Sequence, residues 1–312
     1  MTSILITGAN GFIGSHFGQR ARMLGWRVLG ADLAAQDMTG NCHDYREVDL
    51  GTPGAGDLLD TLPAPDVVLH AGGISGLMIA TDKPQYIVDV NVVGTMTLLE
   101  LARRRGARRT VLCSTIMAYG PDKVPANQRV ETEYPEPISI YGASKVAIEA
   151  LMHGHRAQYG TDAIALRFSH VYGPGRTTQC FVRDMLAAVQ ADSPCLIPQA
   201  GSSLRQYVHI DDVCDAVDLA IQAPAPSSRV FNVSAGEIHS LAEVGTVIDR
   251  QIGKLDVSFD EAIDLPNYRI GRLSLDKARA ELGFTPALPL EKGLRSYWEA
   301  AFAGKTPVPV GN

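Results

Sequence analysis

The 312 residues carry a formal net charge of −6, with 46% hydrophobic and 20% charged side chains. A chain of this length can form one large domain or two merged ones, and its apolar content is enough to bury a core. Its negative charge excludes the polycationic surface that would hold nucleic acid or an anionic membrane.

The beginning of the chain, MTSILITGANGF, enters a strand pattern directly, without a basic segment followed by a long apolar run. We therefore expect no signal peptide and no membrane anchor. The five cysteines are scattered and form no CxxC pair, which is typical of free thiols in a cytoplasmic protein. No ligand spacing predicts a metal site.

Five apolar runs in the first part of the chain are typical of buried strands. They span residues 4–7, 27–32, 66–71, 110–115 and 163–168. Helical periodicity occurs between them at residues 12–24, 86–104 and 141–159. Apolar strands that alternate with helices predict a parallel sheet covered by helices on both faces, which is a doubly wound α/β fold of the Rossmann type.

Beyond about residue 170 the pattern loosens, with more proline and glycine and shorter apolar runs. Helices are predicted there near 178–190, 211–222, 240–250 and 290–302. We therefore predict two parts: a nucleotide-binding Rossmann domain over residues 1–170, and a smaller mixed α/β substrate lobe over residues 171–312.

The segment TGANGFIG follows the first strand and opens the first helix, with glycines at Gly8, Gly11 and Gly14. Gly8 permits a sharp turn, Gly11 lets a pyrophosphate approach the backbone, and Gly14 lets the helix pack closely on the strand. The helix N-terminus offers free N–H groups to the anion. The other cofactor contacts predicted in this segment are Asn10, Phe12 and Ile13.

Asp32 ends the second strand, 18 residues beyond Gly14. A carboxylate at this place accepts hydrogen bonds from a ribose 2′-hydroxyl and repels a 2′-phosphate, and no arginine follows in LAAQ. The sequence therefore favours NAD over NADP. Asp49 and Leu50, after the YREV strand, are a second candidate contact beside the adenine, although an aspartate at a strand end is often a turn former.

Tyr141 and Lys145 in YGASK are four residues apart at the start of a helix, so both side chains lie on one face. A free tyrosine has a pKa of about 10. A neighbouring ammonium and an oxidised nicotinamide both favour its phenolate, and the lysine can also hold the nicotinamide ribose. Ser114 and Thr115 end an earlier strand in CSTIMAYG, and Thr115 precedes Tyr141 by 26 residues.

Together these segments resemble the extended short-chain dehydrogenases/reductases, and within them the NAD-dependent epimerase/dehydratase family typified by nucleotide-sugar 4-epimerases. The resemblance continues through DVNVVGT (89–95), VYGPG (171–175), RQYVHIDD (205–212), FNVSAG (231–236) and KARAELGFTP (277–286). It implies a seven-stranded parallel sheet to which part of 205–235 returns, with the substrate lobe built from the rest of the second half. It also implies a homodimer formed through helices at about 82–104 and 141–160.

The resemblance implies a catalytic triad of Thr115, Tyr141 and Lys145. Thr115 would hydrogen-bond the substrate oxygen while Tyr141 removes its proton and hydride passes to the nicotinamide. Asn91, in the family's N-x-x-G-T segment, is a candidate cofactor residue, and a structural role that braces strand and helix is the alternative.

The loop AGGISG (71–76) departs from the family's more usual H-x-A-A pattern. Its backbone at Ala71 and Gly72 would approach the nicotinamide, and Ser75 would donate to a substrate hydroxyl. The alternative is a flexible glycine loop that contacts no ligand.

Relatives that dehydrate or decarboxylate a sugar resemble one another in carrying an acidic residue directly after the catalytic hydroxyl. Ile116 and Met117 occupy those positions in this chain, and neither can transfer a proton. We therefore expect oxidation or reduction at one carbinol carbon, with or without re-reduction from the other face, and neither dehydration nor decarboxylation.

The match to nucleotide-sugar enzymes is weaker in the second half of the chain. His170 stands where relatives usually carry an asparagine that contacts the diphosphate, and it is either a substrate ligand or an interior histidine. Glu261 lies near the expected arginine of the diphosphate clamp, where an acid would repel the ligand. Arg205 matches a family arginine that contacts a phosphate, whereas Arg269 and Arg272 either replace the clamp or lie on the surface.

Three functions remain open. The first is an NAD-dependent nucleotide-sugar 4-epimerase, and the second is an NAD-dependent dehydrogenase of an unactivated sugar, lactone or aldonic acid. The third is a non-catalytic NAD-sensing or interaction protein on the same scaffold. Retention of both Tyr141 and Lys145 favours an enzyme, and net NADH formation separates a dehydrogenase from an epimerase.

Overall fold

The computed structural model describes residues 1–76, 80–122, 128–260 and 269–302. The strands are β1 (Ser3–Thr7), β2 (Arg27–Asp32), β3 (Asp44–Glu47), β4 (Val67–His70), β5 (Arg109–Thr115), β6 (Ala163–Phe168), β7 (His170–Tyr172), β8 (Cys195–Ile197), β9 (Leu204–Arg205), β10 (Tyr207–His209), β11 (Val230–Val233), β12 (His239–Ser240) and β13 (Val257–Phe259). The helices are α1 (Phe12–Met23), α2 (Ala55–Asp60), α3 (Pro84–Val88), α4 (Gly94–Arg104), α5 (Ile140–Tyr159), α6 (Phe181–Ala191), α7 (Ile210–Gln222), α8 (Leu241–Gln251), α9 (Asp276–Leu282) and α10 (Leu290–Ala301).

Seven of these strands form one parallel sheet in the order β11–β6–β5–β4–β1–β2–β3. The strand order reverses between β1 and β4, and in open α/β sheets such a switch point leaves a crevice outside the carboxyl ends of the strands. The fold class predicted from the sequence, a doubly wound parallel sheet, is confirmed.

Helices cover both faces of this sheet. On one face α1 and α7 pack over an apolar core that includes Ile6, Phe17 and Val217. On the other face α2 and α4 close a second core, in which Leu5 and Leu98 are fully buried. Because both faces are covered, the inner strands read as continuous apolar runs rather than as alternating ones.

The predicted helix over residues 86–104 is interrupted. A π-helical turn at Asp89–Val93 separates α3 from α4. Within this turn the Asn91 carbonyl oxygen accepts a hydrogen bond from the Thr95 hydroxyl over 2.5 Å. Single π-turns inside helices are frequent at functional sites, and this one carries Asn91.

The second half of the chain builds a smaller lobe around its own core, which includes Met185, Ile197, Val244 and Leu294. Its strands are two or three residues long and form the two-stranded pairs β10–β7, β12–β9 and β13–β8. Strands this short carry too little period for sequence prediction. In contrast, β11 pairs with β6 and extends the large sheet. Within the described ranges, no helix combines the length and apolar character needed to cross a membrane.

Candidate active site

A cleft of about 720 Å³ opens at the carboxyl ends of β1, β4 and β5 and continues to the smaller lobe. Every residue that the sequence predicts for the site lines this cleft, with the exception of Asn91. On the nucleotide side these residues are Gly8, Asn10, Gly11, Phe12, Ile13, Gly14, Asp32, Asp49, Leu50, Ala71 and Gly72. On the side of the predicted chemistry they are Ser75, Thr115, Tyr141, Lys145, His170 and Arg205.

The glycine-rich loop turns sharply between β1 and α1. Gly8 has a φ of +69°, a conformation that costs a glycine little, and its N–H donates to the Ala31 carbonyl oxygen over 2.8 Å. A Cβ on Gly14 would lie 2.0 Å from the Gly8 carbonyl oxygen, so no side chain fits there. Helix α1 then begins without a side-chain cap or an acidic residue in its first turn, which leaves its N-terminal N–H groups available to an anion.

The Asp32 carboxylate is held at the end of β2 by two backbone donors. It accepts from the N–H of Asn10 over 2.8 Å and from the N–H of Leu33 over 2.7 Å. The Asn10 side chain in turn accepts from the Met38 N–H over 2.9 Å and donates to the Gln36 carbonyl oxygen over 3.1 Å. The carboxylate thus faces the cleft in a fixed position that suits a ribose diol.

Asp49 serves in a turn and lines the cleft as well. Its carboxylate accepts from the Gly51 N–H over 2.8 Å, and the Tyr86 hydroxyl lies 3.4 Å from both carboxylate oxygens. The two sequence interpretations of this residue, turn former and cofactor contact, are therefore compatible.

Thr115, Tyr141 and Lys145 come together at the end of β5. The Thr115 hydroxyl accepts from the Met117 N–H over 3.2 Å and lies close enough to the Tyr141 phenol to lower its pKa. Lys145 donates from Nζ to the Cys113 carbonyl oxygen over 2.9 Å, and Nζ lies 6.0 Å from the centroid of the Tyr141 ring. A base, a hydroxyl and an ammonium therefore share one pocket.

Burial and hydrogen bonding act on Tyr141 in opposite directions. Desolvation raises the pKa of its phenol, whereas the Thr115 hydroxyl, a backbone hydrogen bond from Gly76 and the Arg176 guanidinium lower it. Burial also lowers the pKa of Lys145, and the Glu149 carboxylate opposes that shift. Burial is the largest of these effects, so the pKa of Tyr141 is raised overall, and its cationic and hydrogen-bonding neighbours offset part of that shift.

Ser114, next to Thr115, is engaged elsewhere. Its hydroxyl donates to the Glu149 carboxylate over 2.6 Å, and this buried carboxylate also binds the Arg167 guanidinium through two hydrogen bonds of 2.9 and 2.6 Å. The Arg167 guanidinium lies over the Tyr119 ring, 4.6 Å from its centroid. Of the two adjacent hydroxyls, Thr115 is the one that lowers the pKa of Tyr141.

The loop at residues 71–76 is braced from behind by Asn91. This side chain accepts from the Ile74 N–H over 2.8 Å and donates to the Ile74 carbonyl oxygen over 3.0 Å and to the Ser144 hydroxyl over 3.0 Å. Asn91 is 1% exposed and lies outside the cleft lining, so the structure places it as a brace. A Cβ on Gly73 would come within 2.8 Å of the Asn91 side-chain oxygen, which explains the glycine.

A buried histidine that the sequence analysis did not single out supports the same loop. His70 contacts the Thr7 hydroxyl through Nδ1 at 2.7 Å and the Thr95 hydroxyl through Nε2 at 2.8 Å. Because Thr95 donates its own proton to the Asn91 carbonyl oxygen, Nε2 of His70 is the donor in this chain of bonds. Burial lowers the pKa of His70 to about 3, so the ring is neutral.

His170 and Arg205 enter the cleft from the smaller lobe. His170 donates from Nδ1 to the Gln206 carbonyl oxygen over 3.2 Å, which leaves Nε2 as an acceptor. Burial lowers the pKa of His170 to about 3, with Arg205 and Arg176 contributing, so the ring is neutral and lines the cleft. The Gln206 side chain holds residues 270–273 through three hydrogen bonds of 2.9 to 3.2 Å.

Sequence reasoning missed the loop at residues 173–179, which lines the cleft with Arg176, Thr177, Thr178 and Gln179. Its signal was the VYGPG motif, directly before Arg176.

The described residues considered for the diphosphate clamp are not found in the cleft lining. Glu261 lies outside the described residues. Arg269 and Arg272 are exposed and do not line the cleft.

A glycine loop at the switch point of a doubly wound sheet, an aspartate after the second strand and a Thr–Tyr–Lys group define a nicotinamide-dependent enzyme of the short-chain dehydrogenase/reductase class. The cradle of Gly8 and Gly14, the fixed Asp32 carboxylate and Lys145 fit NAD. Within the part of the chain that the structure describes, no group of three or more possible metal ligands occurs.

The chain belongs to the NAD dependent epimerase/dehydratase family, whose profile matches residues 4–234. Membership confirms the family and the cofactor that the sequence predicts. A UDP-glucose 4-epimerase of Mycolicibacterium smegmatis is 33% identical over 302 residues, which are 93% of this chain and 95% of the relative.

Solved structures are similar over the same extent. A UDP-glucose 4-epimerase of Thermotoga maritima with UDP-glucose has 27% identity and a TM-score of 0.86, covering 96% of this chain and 98% of its own. MoeE5 in complex with UDP-glucuronic acid and NAD has 28% identity and a TM-score of 0.83, covering 95% of this chain and 98% of its own.

Proposed function

We propose that this chain is an NAD-dependent 4-epimerase of a nucleotide sugar. The observation that carries the proposal is the convergence of Thr115, Tyr141 and Lys145 in the same cleft as the glycine loop. The relatives named above, one acting on UDP-glucose and one binding UDP-glucuronic acid, support a nucleotide-sugar substrate.

The residues divide the chemistry between them. Tyr141 accepts the proton of the carbinol hydroxyl while Thr115 holds that oxygen by a hydrogen bond. Lys145, anchored on the Cys113 carbonyl oxygen, stabilises the phenolate and reaches the ribose. When bound, NAD supplies the nicotinamide that takes the hydride and gives it back. The carbon inverts because the hydride is given back to its opposite face, and Tyr141 returns the proton to the carbinol oxygen.

Dehydration and decarboxylation are outside this proposal. Elimination needs an acid/base group at the far end of the sugar. Ile116 and Met117 line the cleft after Thr115 and are 3% and 7% exposed, and neither exchanges a proton. Re-reduction at a single carbon needs no such group.

Arg176 bears on the choice between a neutral and a carboxylate-bearing sugar. Its guanidinium lies near enough to Tyr141 to lower the pKa of the phenol, so it stands at the reacting end of the cleft. A cation there provides a partner for a sugar carboxylate. We therefore propose UDP-glucose and UDP-glucuronic acid as the first two substrates to test.

The decisive experiment incubates the purified protein with each sugar and separates the epimers by chromatography, while absorbance at the NADH band is followed. An epimerase gives the 4-epimer and no net NADH. Stoichiometric NADH with an unactivated sugar, lactone or aldonic acid would favour the dehydrogenase instead. Thermal shift with UDP, dTDP and GDP then identifies the base.

We also propose that the smaller lobe, which residues 171–312 form apart from α7 and β11, binds the substrate and that the protein is a cytoplasmic homodimer. Helix α5 and the helices at residues 84–104 leave apolar side chains in solvent, including Val93 at 54% and Tyr159 at 56% exposure. Five free thiols fit a reducing compartment. Sedimentation equilibrium at micromolar concentration should give the dimer mass, and a monomer would contradict the pairing.

A further inference from the structure

The loop at residues 173–179 brings Arg176 into the cleft, and it is fastened from two sides. From the smaller lobe, the Arg183 guanidinium donates to the carbonyl oxygens of Arg176, Thr177 and Thr178 over 3.2 to 3.3 Å. Gly175, in the middle of the loop, has a φ of +84°. Arg183 therefore fixes the shape of the loop, whereas it does not fix the distance between the loop and the cofactor cradle.

The fastening on the cradle side is His16. This histidine lies on α1 and contacts the Pro174 carbonyl oxygen through Nε2 at 2.9 Å, across 158 positions of sequence. A carbonyl oxygen only accepts, so Nε2 carries the proton. A Cβ on Gly175 would lie 3.5 Å from the same nitrogen, which indicates that the loop backbone rests against the imidazole.

His16 is also tied to the start of its own helix. Its ring meets the Phe12 ring edge to face, with centroids 5.3 Å apart and planes at 85°. Phe12 is the first residue of α1 and lines the cleft. One side chain thus contacts both a residue of the cofactor cradle and the backbone of the loop that carries Arg176.

We propose that His16 is a positioning residue for substrate binding, which holds the 173–179 loop against α1 and so sets where Arg176 enters the cleft. The inference rests on the proposed function for the identity of the substrate. His16 itself touches no reacting atom, and its effect is exerted through Pro174. Because Arg183 keeps the shape of the loop, loss of the His16 bond shifts the loop without unfolding it.

Two variants separate the hydrogen bond from the ring contact. His16→Phe keeps an aromatic ring against Phe12 and removes the donor. His16→Gln removes the ring and keeps an N–H at a similar reach from the backbone. If the hydrogen bond positions the loop, His16→Phe raises KM for UDP-glucose or UDP-glucuronic acid roughly 2- to 13-fold, and His16→Gln stays near wild type. In both variants the NAD content of the purified protein remains at the wild-type level, and so does kcat on the high-pH plateau of its profile, where the pKa of Tyr141 no longer limits turnover.

Hydrogen exchange without substrate tests the tether independently of any activity. Peptides that contain residues 175–179 should exchange faster in His16→Phe than in wild type or His16→Gln. Unchanged exchange together with unchanged KM would overturn the proposal, and so would a loss of bound NAD that accounts for the change in KM. If wild type converts neither sugar while the exchange difference is present, the proposed substrate is wrong and the tether stands.

Discussion

The two sides of the cleft are built by different means. The nucleotide side is formed mainly by backbone, namely a glycine turn and a helix N-terminus. Its one fixed side chain named above, the Asp32 carboxylate, is held by two backbone N–H groups. The opposite side consists of side chains from distant segments, with His170, Arg176 and Arg205 held by bonds to the backbone of neighbouring residues. The nucleotide side therefore depends on a few residues at a fixed spacing in the sequence. The opposite side depends on where the fold places side chains from distant segments.

The largest predicted effect is a loss of turnover without a loss of NAD binding. Tyr141→Phe removes the base and leaves the backbone of the nucleotide side intact, so turnover should fall about 10²- to 10⁴-fold. NAD content, measured after release by denaturation, should stay unchanged. Tyr134→Phe, at an 85% exposed tyrosine, is the matched control. Wild-type turnover in Tyr141→Phe would mean that the two sides do not divide the work in this way.

Thr115→Val tests the hydroxyl that lies where the two sides meet. A hydrogen bond to a charged partner contributes about 1.5–3 kcal/mol, so turnover at neutral pH should fall about 10- to 160-fold. The bond from Thr115 lowers the pKa of Tyr141, so its removal raises that pKa and moves the acidic limb of the kcat/KM profile to higher pH. The profile of Thr115→Ser should coincide with that of wild type; a shift in Thr115→Ser, or none in Thr115→Val, would contradict the assignment.

Gly14→Ala addresses the backbone side alone. The added Cβ would lie 2.0 Å from the Gly8 carbonyl oxygen, and such overpacking costs about 1–3 kcal/mol. The loop must move to accept it, so we expect weaker NAD binding by calorimetry. Gly154→Ala is the control, because a Cβ there meets no atom within 4 Å. Equal NAD affinity in both variants would remove the close packing as the reason for the glycine.

Ser114→Ala is expected to have the smallest effect. The Ser114 hydroxyl bonds Glu149, which keeps its two bonds to Arg167 when the serine is removed. We expect the free energy of unfolding to fall by about 1 kcal/mol, measured by urea denaturation, with turnover unchanged. Turnover that falls as far as in Thr115→Val would show that the two neighbouring hydroxyls share the catalytic role.

The same contrast explains how far the sequence could be interpreted. The inner strands and α1 follow from apolar runs and glycine spacing, because their pattern is local. A bracing role for Asn91 was one of the two interpretations from the sequence, but its contacts with Ile74 could not be predicted. The same holds for the bonds of His70, for the tether from His16 to Pro174 and for the bonds of Gln206 to residues 270–273, since each joins segments far apart in sequence. The π-turn at Asp89–Val93 could not be predicted either, because the apolar periodicity of the sequence does not distinguish it from an α-helical turn.

The hydrogen bond that holds Lys145 affects which substitutions the enzyme can tolerate at position 113. Lys145 is anchored by a main-chain oxygen at Cys113, and no substitution at that position deletes a peptide carbonyl. Cys113 can therefore be replaced by another small residue while the Lys145 ammonium keeps its hydrogen bond. Only a shift of the β5 backbone would break this hydrogen bond. The effect of a substitution at position 113 therefore depends on whether the strand keeps its position, and not on the chemistry of the side chain.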